Sequence, residues 1–278
     1  HTTSYEEQPL SDKSLSCFRK RCYDYETTHN VDLLHDCVTD LGSKIAKMMK
    51  VSSRIRRMNS MMIEANIKKL SRAELLYTCV SKLVIFLHKN QQDTLLVGME
   101  HYYDPNDFNR NFYYSDSSKS DDILADILKD ADKLLDVCGQ DFDDVVEYQL
   151  LVRCLSEQTV VENAVRRLKE KGECGMSSSM MQNPSDPDAT FREKAGKKYR
   201  GYVANIDESV GKNGSIVTDY QFEKNTYSDS RFLKDSLERN GYSEESSTLV
   251  ADGAYFSEDN QRQADKQNVR LVPTAITS

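Results

Sequence analysis

Thr248-Leu249-Val250-Ala251-Asp252-Gly253, then the polar run 258–266, then Val269-Arg270-Leu271-Val272-Pro273, is the stretch on which the reading of the fold turns. The first segment is a compact apolar run closed by Asp-Gly, a pair that ends a strand because glycine lets the backbone turn sharply. The second has the composition and spacing of a short helix, and the third is another apolar strand. Two strands joined through a helix are expected to lie parallel, because a parallel pair needs a crossover and cannot be joined by a tight turn. The C-terminal part is therefore expected to be α/β.

The same logic extends outward. Residues 199–206 alternate like a strand and 215–222 do so again, with Gly211-Lys212-Asn213-Gly214 between them as a hairpin signal. Residues 229–239 form a short amphipathic helix on Phe232, Leu233 and Leu237. Upstream, Leu33, Leu34, Cys37, Val38, Leu41, Ile45 and Met48 recur at helical spacing, and 53–59 reads as a short strand. Ser71-Arg72-Ala73-Glu74 matches a capping box, opening a helix through Leu75, Leu76, Cys79, Val80, Leu83, Val84 and Leu87. A second helix follows on Ile123, Leu124, Ile127, Leu128, Ala131, Leu134 and Leu135, and a third is expected over 142–171.

The expected organisation has five parts. Residues 1–30 are polar and aromatic, with Pro9-Leu10-Ser11-Asp12 as a helix start; 31–70 hold a helix and the first strand; 71–171 form an acidic helical insertion. The Gly-, Ser-, Met- and Pro-containing stretch 172–198 reads as a linker, and 199–278 as the remainder of the sheet domain.

With 45 acidic and 37 basic side chains, the net charge of −8 at first argues against a nucleic-acid partner. The charge is local, however. Residues 101–150 carry thirteen acidic and four basic side chains, so the other 228 residues sum to +1. Two basic clusters lie in that remainder: Lys44, Lys47, Lys50, Arg54, Arg56 and Arg57, with no acid among them, and Arg192, Lys194, Lys197, Lys198 and Arg200, interrupted by Glu193. Each alone reads as a solvated face; the two together suggest phosphate contacts. No window approaches the roughly 18 continuous apolar residues of a membrane helix. Seven cysteines without a C-x-x-C pair suit a reducing compartment, with Cys79, Cys138 and Cys154 on apolar helix faces.

Asp252 lies at the carboxyl end of its strand, the edge where α/β sheets bind ligands, and reads equally as a turn residue or a functional carboxylate. Asn59, at the end of the earlier strand, offers a metal only a neutral carbonyl, and its plainer role is a turn or cap.

An ordered set of motifs carries a resemblance: Pro9-Leu10-Ser11-Asp12-Lys13-Ser14-Leu15-Ser16-Cys17-Phe18-Arg19, Arg57-Met58-Asn59-Ser60-Met61-Met62-Ile63, Leu70-Ser71-Arg72-Ala73-Glu74-Leu75-Leu76-Tyr77, Gln182 to Arg192, Gly201-Tyr202-Val203-Ala204-Asn205 and Leu249-Val250-Ala251-Asp252-Gly253-Ala254-Tyr255. Spanning nearly the whole chain, they resemble the DDE transposases of bacterial insertion sequences, in the eleven-eighty-two-like branch of the IS-four/IS-five superfamily. The resemblance implies a ribonuclease-H-like mixed sheet with a large helical insertion after the first strand. It further implies Mg²⁺ (or Mn²⁺) held between three carboxylates, transposon-end and target DNA as partners, a homodimer assembled on DNA, no membrane association, and a bacterial cytoplasmic, nucleoid-associated location.

Two departures follow from the same comparison. Asn59 stands where the family has its first Asp, and the family's final Glu would fall beyond Ser278, so that of the three carboxylates only Asp252 is present. With His1 in place of a starting Met, the resemblance implies a core truncated at both ends. The expectation is a transposase core for metal-dependent DNA cleavage and transfer that is inactive as it stands, with weakened metal binding at Asn59 and Asp252. The alternative is a non-catalytic DNA-binding or protein-interaction protein derived from one. Asp186 and Asp188 are weaker substitutes for the missing carboxylate, since Ser185-Asp186-Pro187-Asp188 reads as a turn, and Asp229 is expected to cap the helix it begins.

Overall fold

The computed structural model describes residues 12–274. In chain order these form α1 (Asp12–His29), α2 (Leu33–Met49), β1 (Ile55–Glu64), α3 (Arg72–Lys89), α4 (Asp107–Phe112), α5 (Ser120–Cys138), α6 (Val146–Gln158), β2 (Thr159–Glu162), β3 (Val165–Leu168), β4 (Thr190–Lys194), β5 (Lys197–Gly211), β6 (Gly214–Lys224), α7 (Asp229–Asn240), β7 (Ser247–Ala251), α8 (Glu258–Lys266) and β8 (Val269–Pro273). The helix start expected at Pro9-Leu10-Ser11 lies outside the described residues. Two compact units result, one from residues up to 61 with 204–222 and 228 onward, the other from 62–203 with 223–227.

The first unit holds a mixed sheet in the order β6-β5-β1-β7-β8. β1 pairs parallel with β7, and β7 parallel with β8, as the strand–helix–strand pattern requires. β5 and β6 form the expected hairpin through Lys212 and Asn213. The α/β class is thus present, and β1 is longer than the expected 53–59. α7 packs on α8 and on the turn that follows β7, burying Phe232, Leu233 and Leu237. α2 sits directly on β6: a Cβ on Gly42 would meet the Val217 carbonyl oxygen at 2.5 Å, so only glycine allows this approach.

The second unit is built on α3, α5 and α6, whose apolar stripes meet in one core. Leu76, Val80, Leu83, Val84, Leu87, Ala131, Leu134, Leu151 and Cys154 are fully enclosed. The capping box forms as expected: Ser71 Oγ accepts from Glu74 N, and Glu74 accepts from Ser71 N at 2.7 Å. Cys79, Cys138 and Cys154 are buried free thiols, and burial pushes the Cys138 thiol up to about 11.

Two expectations here need correction. The helix over 142–171 ends at Gln158 and gives way to the antiparallel hairpin β2–β3. Thr159, Val160 and Val161 favour extended backbone. Asn163 and Ala164, both at positive φ, then make a two-residue turn whose twist matches a hairpin. Arg72, in the first turn of α3, fixes this change of direction by donating to the carbonyls of Gln158 and Lys169. The linker over 172–198 is likewise ordered: Met180, Met181, Asn183, Ala189 and Thr190 are buried, and β4 pairs antiparallel with the first part of β5. Its Gly, Ser and Pro serve turns rather than slack.

Candidate catalytic edge of the sheet

Register decides which residues meet. β1 and β7 pair as Ile55↔Thr248, Arg56↔Leu249 and Arg57↔Val250. Asn59 lies two residues beyond Arg57 in β1, and Asp252 lies two residues beyond Val250, directly after β7. Because side chains alternate along a strand, Asn59 projects to the same face as Arg57. Met58, between them in sequence, is buried on the other face. Asn59 and Asp252 are exposed, as are Ile55 and Met61 of the same strand face. Asp252 directly follows β7, and its Oδ1 accepts from Ala254 N at 3.1 Å, holding the helical turn Gly253–Tyr255. Both readings of Asp252 are therefore compatible: it shapes the turn with one oxygen and keeps an exposed carboxylate at the strand end.

Behind this edge lies a buried polar cluster. The Tyr255 hydroxyl donates to Asn205 Oδ1 at 2.7 Å. Burial pushes its phenol well above the ordinary range; a hydrogen bond with Ser60 works against this, while the charges of Asp229, Asp252 and Asp207 add to it. Asn260 Nδ2 donates to Tyr255 O at 2.9 Å and to Ser230 O at 2.8 Å, tying the turn after β7 to the first turn of α7. Asp229 begins α7 but does not cap it, contrary to expectation: Ser228 accepts from Arg231 N in that role. Asp229 is instead buried, and its Oδ1 has no hydrogen-bond partner. Tyr255, Asn205 and Asn260 were not singled out from sequence as site residues. The usable signal was the inward-facing alternation of Asn205, Asp207 and Ser209 on β5.

The basic clusters fold unevenly. Lys44 pairs with Asp40 at 2.6 Å and Arg54 with Glu245 at 3.2 Å. Arg56 is drawn inward onto Asp207, Nε to Oδ1 at 3.1 Å, and onto Ser236 Oγ at 3.0 Å; Arg57 pairs with Glu208 at 3.0 Å. The acid-free run in sequence thus meets four acids in space. Lys47 and Lys50 remain exposed. Arg192 donates to the carbonyls of Asn225 and Tyr227, and Arg200 to Gln182 Oε1. Lys194, Lys197 and Lys198 stand exposed about the β4–β5 turn, with the Lys197 ammonium 5.0 Å from the Tyr199 ring centre. Asp186 accepts from the Tyr202 hydroxyl and Asp188 pairs with Lys224, so both are engaged structurally. A polar cavity of about 590 Å³ opens at the opposite ends of β1 and β7, near Lys47, Arg54 and Arg56, and does not include Asn59 or Asp252.

Among the described residues no three His, Cys, Asp or Glu side chains converge as a metal cluster. The Asp252 carboxylate and the Asn59 amide carbonyl are oxygen donors of the kind a hard cation takes. Comparison of the chain with protein-family models, curated proteins and solved structures finds no match. No helix among the described residues is long and apolar enough to cross a membrane.

Proposed function

We propose that this chain is the catalytic core of a DDE transposase of bacterial insertion sequences, on a ribonuclease-H-like sheet, with its DNA chemistry disabled by Asn59. The observation that supports the reading is the parallel pairing of β1, which carries Asn59, with β7, which leads directly into Asp252. The β5–β6 hairpin on one side of β1, the parallel β7 and β8 on the other, and the helical block that follows β1 support it. These are the features that the motif resemblance implies.

A divalent cation bound at this edge would supply Lewis acidity to a phosphodiester oxygen. Asp252 would hold it with a full charge, whereas Asn59 contributes only an amide dipole. Loss of one negative charge beside a dication lowers affinity for it, and cleavage and strand transfer fall with it. Tyr255, anchored on Asn205, fixes the turn that presents Asp252. The test is Asn59→Asp in the full-length gene product, assayed for Mg²⁺- or Mn²⁺-dependent nicking of DNA carrying the element's terminal repeats. Nicking that appears only on this restoration is expected; its absence in both proteins would sink the catalytic reading.

DNA, as transposon ends and target, is the proposed partner, with a homodimer on DNA and a nucleoid-associated cytoplasmic setting. Its contacts are assigned to the exposed Lys47, Lys50, Lys194, Lys197 and Lys198. Arg56 cannot reach a phosphate without breaking its pair with Asp207. A second reading, DNA binding without catalysis, is favoured by the coexistence of Asn59 with those exposed lysines. The slope of log affinity against log salt measures it: each phosphate-bound lysine replaced by alanine should flatten the slope by about 0.9. A flat wild-type slope excludes both readings of these residues. The exposed Asp121, Asp122 and Asp126 on α5 should repel DNA from that surface, so converting them to Asn should raise nonspecific binding.

A further inference from the structure

We infer that α1 is a self-association surface, through which two copies of this chain pair with their α1 helices antiparallel and with no nucleic acid between them. This pairing needs neither the catalytic edge nor a dimer assembled on DNA.

α1 turns an apolar stripe to solvent. Leu15, Phe18, Cys22 and Tyr25 recur at intervals of three and four, which aligns them along one side of the helix at the spacing of a two-helix seam. Leu15, Phe18 and Tyr25 are 56%, 63% and 48% exposed. The Tyr25 ring stacks on His29, one turn on, with centroids 3.9 Å apart, so the stripe continues to the end of the helix. Single exposed apolar side chains are ordinary, whereas an aligned series along a helix is a contact face.

Charge identifies the occupant. From Lys13 to Arg21 every charged side chain is basic, namely Lys13, Arg19, Lys20 and Arg21, whereas Asp24 and Glu26 follow in the second half. Arg19, Lys20, Arg21, Asp24 and Glu26 enter none of the ion pairs among the described residues. Two such helices laid parallel would set basic half on basic half. Laid antiparallel, each basic half meets the acidic half of the other copy, and the helix dipoles oppose as well. Arg19 and Glu26 are seven residues apart and so flank the stripe on the same side. A two-fold axis crossing near the middle of the helix then brings Arg19 of each copy toward Glu26 of the other, two matched pairs for one symmetric contact. A hairpin closing α1 onto α2 within one chain would instead set the basic half of α1 beside Lys44, Lys47 and Lys50 at the end of α2.

The experiment uses the full chain, freed of nucleic acid, and follows its mass by sedimentation equilibrium over a roughly hundredfold range of concentration. A reversible monomer–dimer equilibrium is expected. Phe18→Asp, the pair Arg19→Glu with Arg21→Glu, and the pair Asp24→Lys with Glu26→Lys should each weaken it by about tenfold or more, because each sets like charges face to face or a charge in the seam. All five positions are exposed or half-exposed, so the circular dichroism of the variants should match wild type. All four charge reversals in one chain should restore self-association, since the two halves match again. A chain that stays monomeric over the whole range overturns the pairing, as does a dimer indifferent to all of these changes. A dimer broken by Phe18→Asp alone, or one that the fourfold reversal fails to restore, overturns the antiparallel match. If the chain dimerises only when DNA is added, pairing through α1 fails and the dimer assembled on DNA stands. A negative nicking assay with Asn59→Asp leaves the pairing untouched.

Discussion

The helical block and the sheet unit bury their side chains by different means. In the block, α3, α5 and α6 enclose leucine, valine, alanine and cysteine. In the sheet unit, the inward face of β5 carries Asn205, Asp207 and Ser209 at alternate positions, at 1%, 1% and 2% exposure. Apolar burial is non-directional and tolerates small shifts of a neighbour. Polar burial succeeds only where a partner stands at hydrogen-bond distance, and for Asp207 and Asn205 those partners come from far away in the chain. Arg56 answers Asp207 across 151 residues, and Tyr255 answers Asn205 across 50. The comparison teaches that the block is specified mostly by pattern, and the sheet unit by a few exact matches.

The largest expected effect tests those matches. Arg56→Met or Asp207→Leu alone should cost about 3–5 kcal/mol, because each leaves a buried charge without its partner. The double variant should recover most of that loss in urea unfolding. Single variants as stable as wild type would break the comparison. Next, Leu83→Ala, in the fully enclosed face of α3, should cost about 3 kcal/mol through lost transfer energy and the cavity left behind. A much smaller loss would mean that the block relaxes around the gap.

Smaller effects sharpen the picture at the block's margins. Ser71→Ala removes one half of the capping box and should cost about 1 kcal/mol, read from the urea midpoint. The smallest effect concerns Asp130, which is half-buried and accepts from the Tyr102 hydroxyl at 3.0 Å. Desolvation raises its carboxyl above 3.8, outweighing the hydrogen bond from Tyr102 and the nearby His101. A group whose folded pKa is raised gives its full contribution below its unfolded value. That contribution is lost as pH climbs through the folded value. Stability attributable to Asp130 should therefore decline as pH rises from about 4. The slope should be shallower in Asp130→Asn, measured as the difference between the two proteins over the same pH series.

Much of the block was legible without coordinates. Leu75 through Leu87 repeat at helical spacing, and Ser71 with Glu74 announces the helix start, because both signals act within one or two turns. Periodicity misled at 159–168, where residues consistent with a helical stripe instead follow their β-branched preference around Asn163 and Ala164. It also misled at 190–194, where a strand lies inside a stretch whose glycine, serine and proline suggested slack. The candidate edge was half legible. Asp252 was visible as a carboxylate at a strand end, but the capping role expected of Asp229 belongs to Ser228, and the orphaned oxygen has no signature in sequence. The basic run 44–57 looked free of acid because Asp40, Asp207, Glu208 and Glu245 lie outside it.

The sequence by itself determined where the helices of the block run, that a strand–helix–strand unit closes the described chain as a parallel pair, and which carboxylate stands at a strand end. Those properties follow from interactions between residues a few positions apart. Only the tertiary structure decided that β1, which carries Asn59, pairs with β7, that Arg56 turns inward, and that Asp229 is buried with an unpartnered oxygen. The physical reason is range: strand register and buried charge depend on groups up to 151 residues apart, which only the folded chain brings within a hydrogen bond of one another.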